Sequence, residues 1–195
     1  MLASRSPARL RVLRDAGIDP EVVVSGVDET AEAGLDPAAL VTVLAVRKAD
    51  AVAARRPDAL VLGCDSMLDL DGAALGKPDS AEQAMAMWGR LSGREAMLRT
   101  GHCLIDGPAG RRALGMASTL VRFGTPTPAE LAGYVASGEP LTLAGAFSID
   151  GRGAPFVEGI DGDPSNVIGL SLPLLRRMLA ELGHSITELW RPQPR

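Results

Sequence analysis

The run Ala59-Leu60-Val61-Leu62-Gly63 constrains what this chain can fold into more than any other stretch. It is apolar throughout, has the length of a strand, and lacks the alternation expected of a strand with one wet face. That pattern belongs to a strand buried on both faces. The run ends at Cys64-Asp65-Ser66, and the end of such a strand is where α/β sheets place ligand contacts.

Helices and strands alternate around it. Met1 to Ser4 reads as a short strand running into Ser6-Pro7, a cap followed by Pro at the first helical position. A helix is therefore expected from Pro7 to Ala16, with Gly17 as its stop. Glu21 to Ser25 is β-branched and reads as a strand, with the acidic pair Asp28-Glu29 in the loop after it. Pro37 to about Arg55 reads as a long helix. Asp71-Gly72, between Met67–Leu70 and Ala73–Leu75, is a two-residue hairpin signal, and Ser80 caps a helix ending at Leu91. Two longer strands are expected between Ala96 and Phe123, turning near Asp106-Gly107-Pro108, followed by a helix from Pro128 to Ser137. The Gly-punctuated stretch Ala144 to Ile160 reads as short strands, and Ser171 to Leu182 as a final amphipathic helix. The expected class is α/β, a mixed sheet flanked by helices in one folding unit.

A chain of 195 residues, 46% apolar and 23% charged, is long enough for one substantial core. Its formal net charge of −4 offers no basic stripe to release counterions from a nucleic-acid backbone, so a phosphate ligand needs a local site. No apolar run approaches the roughly 20 residues of a membrane span, and MLASRSPARL lacks a signal-peptide core. Cys64 and Cys103 form neither a disulfide framework nor a zinc set. These features lead us to expect a cytoplasmic protein without nucleic-acid or membrane partners.

Four stretches put polar groups at the ends of expected elements. Ser4-Arg5-Ser6-Pro7-Ala8-Arg9 combines hydroxyls, helix N-terminal N–H groups and Arg9, a setting that favours an anion. Asp28-Glu29 and Asp65 lie in or beside loops, where two acidic segments could hold a hard cation together with substrate phosphates. Lys77 is fixed between Gly76 and Pro78 past the hairpin and suits a phosphate. Each stretch also has a plain structural reading, as a capped helix, a turn acid or a surface lysine. Lys48, in Arg47-Lys48-Ala49-Asp50, reads alone as a solvated helix face with an ion pair. No phosphate-binding loop is present, because Pro78 follows Gly76-Lys77. Asp161 to Leu172 departs from a calcium loop at Asn166 and Leu172. His102 and His184 are too isolated for a zinc pair.

Taken together and in order, these stretches resemble the Maf-like family of nucleotide pyrophosphatases across nearly the whole chain. LASRSPAR at Leu2 to Arg9 resembles the family's LASxSPRR. Asp28-Glu29 falls at its acidic pair, and RKA at Arg47 to Ala49 at its lysine-bearing helix. GCDS at Gly63 to Ser66 resembles GADT, LGKP at Leu75 to Pro78 is identical, and LSG at Leu91 to Gly93 follows. The stretch from Ala144 to Leu175 resembles AGAYGIQGxGAxFVxxIxGxxxNVVGLPL.

The resemblance implies an elongated α/β fold, one domain over residues 1–195, with two lobes around a central cleft and an architecture related to inosine-triphosphate pyrophosphatases. It implies hydrolysis of nucleoside triphosphates to monophosphate and pyrophosphate, clearing non-canonical or modified nucleotides. The alternative within the family is a nucleotide-binding regulator of septum formation with little catalysis. Asp65 would be the catalytic carboxylate, and Glu29 with Asp65 would hold a divalent cation (magnesium, manganese or cobalt). Ser4, Ser6, Arg9, Lys48 and Lys77 would bind the triphosphate, and a homodimer is expected. Three positions that shape the base pocket fall at Ala8, Ser66 and Asp150. The thymidine and uridine subtype has Arg, Thr and Gln there, and the 7-methyl-guanosine subtype Trp, Gln and Glu, so this chain matches neither. Leu143 stands where many relatives carry Lys. The expectation is a relaxed or modified-pyrimidine preference.

Overall fold

The structure, a computed structural model, describes residues 1–28 and 34–191. Helix α1 (Pro7–Asp15) begins as expected, with Ser6 Oγ accepting from the Arg9 N–H and Pro7 in the first turn. Asp36 caps α2 (Pro37–Ala53) by accepting from the N–H groups of Ala38 and Ala39. Strand β1 (Leu60–Leu70) turns through Asp71-Gly72, both at positive φ, into β2 (Ala73–Leu75). Helix α3 (Ala81–Leu91), strands β3 (Glu95–Asp106) and β4 (Arg111–Phe123), and helix α4 (Pro128–Ala136) follow. The chain closes with β5 (Val157–Asp161), α5 (Pro164–Ile168) and α6 (Leu172–Glu181).

Among the described residues the sheet has the order β2-β1-β3-β4-β5, every ladder antiparallel. Its parallel component is confined to isolated bridges of Leu2 to Val22 and to Leu62. The strands expected at Met1–Ser4 and Glu21–Ser25 therefore shrink to isolated bridges, because Leu2 alone meets the sheet, at Leu62 of β1, and Val22 meets only Leu2. The short strands expected between Ala144 and Ile160 reduce to β5. Gly145 and Ala146 both adopt positive φ, and two left-handed residues in succession cannot continue a strand.

Strand β1 does not end at Asp65. It runs on to Leu70, paired with β3 from Leu60↔Asp106 to Asp69↔Met97. Its alternation assigns the layers: Val61 packs among Ala45, Ala49 and Val52 of α2, whereas Leu62 and Cys64 pack with α1 and α6. Helix α2 crosses β1 and β3 over two glycines. A Cβ on Gly63 would lie 2.4 Å from the Ala45 carbonyl, and one on Gly101 would lie 2.2 Å from that of Val41.

Buried apolar side chains gather toward opposite ends of the long strands. One cluster joins Leu68, Leu98 and Val121 to α3 and α4, and contains all three Phe, the single Tyr and Trp88 in edge-on contacts. Others join Leu62, Cys64 and Leu104 to α1 and α6, and Val61 and Cys103 to α2. Between the ends, β1 carries the buried polar residue Asp65 and β3 carries Thr100.

Replacing Gly101 by Ala forces a methyl group into the α2 backbone. We expect a loss of about 2–3 kcal/mol of stability from this overpacking, read as a lower urea midpoint. An unchanged midpoint would contradict the close approach.

Candidate active site

One edge of β1 is unpaired along part of its length. Leu62 hydrogen-bonds Met1 and Ala3 there, and β2 pairs only from Leu68 onward. Residues 63–67 have no strand or bridge partner on that edge among the described residues. Since Leu62 turns its N–H and C=O toward that edge, the two-residue repeat turns those of Cys64 and Ser66 the same way. A cleft of about 750 Å³ opens at the gap.

At the gap, Asp65 and Ser66 point to opposite faces of the strand and meet different partners. Asp65 follows Gly63 onto the α2 side, where Lys48 Nζ donates to its Oδ1 at 2.6 Å. Both side chains are over nine-tenths buried. A desolvated pair of this geometry holds each charge in place and makes removal of either partner costly. Lys48 was the residue whose lone reading was a solvated helix face. Its place on the buried stripe Val41, Leu44, Ala45, Lys48, Ala49 and Val52 is the signal that reverses that reading.

On the opposite face, Ser66 meets Arg9. The Arg9 guanidinium donates to Gly169 O (2.8 Å), Ser4 Oγ (3.0 Å) and Ser66 Oγ (2.9 Å), which fixes a buried cation against β1 and the α5–α6 turn. Ser66 Oγ also lies 3.0 Å from Thr100 Oγ1. Thr100 carries no sequence signal, since a Thr in a strand is ordinary, whereas Gly169 falls within the C-terminal stretch that resembles the family pattern.

Of the residues singled out in the sequence, Ser4, Ser6, Ala8, Arg9, Lys48, Asp65, Ser66 and Lys77 all line the cleft. Asp28 and Asp79 line it too, and Lys77 is exposed. Glu29 lies outside the described residues. Asp150 is not in the lining and is ion-paired with Arg11 of α1. Leu143, Met67, Leu98 and Phe147 give the cleft an apolar part. No group of three or more His, Cys, Asp or Glu able to hold a metal stands among the described residues. The carboxylates of Asp28 and Asp65 supply hard oxygen donors, which suits a cation that also takes oxygens from a bound phosphate chain.

The chain matches the model of the family described as Maf-like protein over residues 1–182. It belongs to the Maf-like family. It is similar to a protein of Streptomyces coelicolor, 62% identical over 98% of this chain and 94% of the relative. It is also 60% identical to one of Streptomyces avermitilis, over 99% and 95%, and 55% identical to one of Mycobacterium sp. (strain JLS), over 97% of each. All three relatives are named nucleoside triphosphate pyrophosphatase.

Behind this Maf-like cleft, Cys64 and His102 are buried side by side in register. Burial pushes the Cys64 thiol up to about 12, so it stays protonated and takes no part as a nucleophile at neutral pH. His102 Nε2 accepts the Ser171 N–H (3.0 Å), which places the ring proton on Nδ1, 3.0 Å from Thr100 O. The imidazole thus pins the turn whose Gly169 carbonyl receives Arg9.

Burial lowers the His102 pKa from 6.5 to about 4. Between those values the unfolded chain takes up a proton that the native chain refuses, so stability falls as pH drops through this window. Between pH 7 and 4.5 we expect a loss of about 2.5 kcal/mol from this group. Urea midpoints at pH 7 and 4.5 read it, and His102→Gln should flatten the difference. An equally steep fall in the variant would contradict the assignment.

Proposed function

We propose that this chain hydrolyses nucleoside triphosphates to the monophosphate and pyrophosphate. The observation that carries the reading is the buried Lys48–Asp65 pair on β1, inside a cleft that also holds Arg9 and Lys77. The names of closely similar, nearly full-length relatives support it.

The chemistry follows from charge and position. Attack on the α-phosphorus with pyrophosphate leaving needs an oriented water and neutralised phosphate charge more than covalent catalysis. In this reading Asp65 accepts a proton from water, with Lys48 fixing the direction of its carboxylate. Arg9, Lys77, the hydroxyls of Ser4 and Ser6, and the N-terminal turn of α1 would bind the phosphates. Asp65 and Glu29 are the residues that would hold a divalent cation, which would polarise the phosphoryl oxygens when bound. Magnesium, manganese and cobalt all suit such oxygen donors.

The base pocket supports a relaxed preference. Ala8 offers no hydrogen bond, the Ser66 hydroxyl is engaged by Arg9 and Thr100, and Asp150 is turned to Arg11. We further propose a cytoplasmic homodimer that clears non-canonical or modified nucleotides. Residues 111–119 of β4 have no strand partner on the side away from β3 among the described residues, and Leu114 and Met116 are exposed there. No helix of the described residues is long and apolar enough to cross a membrane.

Pyrophosphate release from a panel of canonical and modified nucleoside triphosphates, with magnesium or manganese, tests the reading. Turnover should fall at least about 10³-fold in Asp65→Asn. Full turnover in the variant would exclude Asp65 as the base, and tight binding without release in the wild type would favour the regulator.

A further inference from the structure

The carboxylate of Glu139 lies outside the cleft lining, yet four donors converge on it. Its Oε1 accepts from Ser148 Oγ (2.8 Å), the Gly153 N–H (3.1 Å) and Tyr134 Oη (3.3 Å), and its Oε2 from the Arg152 N–H (3.0 Å). The space it fills is shaped around it. A Cβ on Gly151 would lie 2.6 Å from Glu139 Oε1, and one on Gly153 would lie 2.5 Å from Tyr134 Oη. Burial disfavours the charged form of Glu139, but the bonds from Arg152, Ser148, Gly153 and Tyr134 outweigh it and hold the carboxyl below the usual glutamate range.

The segment held this way follows directly on a residue of the cleft lining. Phe147, beside Ser148, lines the cleft, and Asp150 reaches across to Arg11 on α1, the helix that presents Ala8 and Arg9. The other anchor of this segment is the Trp88 indole N–H, which donates to Ala146 O at 2.8 Å and holds a non-glycine residue at φ 57°. Cations gather at the Ser4, Arg9, Lys48 and Lys77 part of the cleft, so phosphates bind there and the nucleoside is left facing the apolar part with Phe147.

We propose that Glu139 is a positioning residue for the nucleoside half of the substrate. Through Ser148, Arg152 and Gly153 it presets the Phe147–Gly153 segment, and with it the place of Phe147 in the cleft, while making no contact with Ser4, Arg9, Lys48 or Lys77. The inference rests on the pyrophosphatase reading for the identity of the ligand.

The test uses Glu139→Gln, which keeps the shape but turns an amide NH₂ toward donors that need an acceptor. Two probes are titrated calorimetrically into wild type and variant: α,β-methylene thymidine triphosphate, which resists cleavage, and inorganic tripolyphosphate, which lacks a nucleoside. Affinity for the nucleotide should fall about tenfold while that for tripolyphosphate is retained, with a smaller fall in Tyr134→Phe. Hydrogen exchange at the Arg152 and Gly153 amides, measured without ligand, should quicken about tenfold or more in Glu139→Gln. Unchanged nucleotide affinity, a parallel loss for both probes, or unchanged exchange would each overturn the proposal. Failure of the wild type to bind either probe would instead count against the pyrophosphatase reading, with the exchange measurement still deciding the anchor.

Discussion

Everything in this molecule that concerns chemistry depends on how closely one helix approaches one sheet. Helix α2 lies with its backbone directly over Gly63 and Gly101, where even a methyl group would collide with the Ala45 or Val41 carbonyl. At that distance the Lys48 side chain reaches Asp65 inside the protein instead of ending in solvent. Two charges that would each be costly to bury alone are buried together, and their mutual attraction fixes the direction of the carboxylate. Small residues on the strands thus translate into the orientation of a buried carboxylate.

The second constraint is that apolar packing gathers toward the two ends of the long strands. Toward one end, an aromatic cluster built on Trp88 consolidates α3, α4 and the Phe147 segment; toward the other, α1 and α6 close over Leu62 and Leu104. The polar middle of β1 and β3 falls between them, where no described strand pairs with one edge of β1. Polar groups there satisfy one another in a chain from Arg9 through Ser66 to Thr100. A preorganised site of this kind needs little rearrangement when charge develops in the transition state.

Most of this was legible in the sequence, and the exceptions have physical causes. Capping residues, the Asp-Gly hairpin and the apolar run at Ala59 located the elements to within a few residues. Cys64-Asp65-Ser66 reads as the end of its strand, whereas the ladder to β3 continues for four residues beyond Asp65. The charge of Lys48 suggests a solvated face, but its position on the buried stripe of α2 turns it inward. Asp150 was assigned to the base pocket by motif alignment, and Arg11, one turn along α1 from Ala8, draws it away. Thr100 and His102 act through partners far apart in sequence, which no local pattern announces, and the donors to Glu139 converge from irregular turns that have no periodicity to read.

The central claim is that the Lys48–Asp65 pair directs water at the α-phosphorus. Hydrolysis of a nucleoside triphosphate in ¹⁸O-labelled water, with mass analysis of the products, tests it most directly. The account predicts the label in the nucleoside monophosphate and none in pyrophosphate. Label in the pyrophosphate, or the appearance of labelled orthophosphate as the first product, would contradict it.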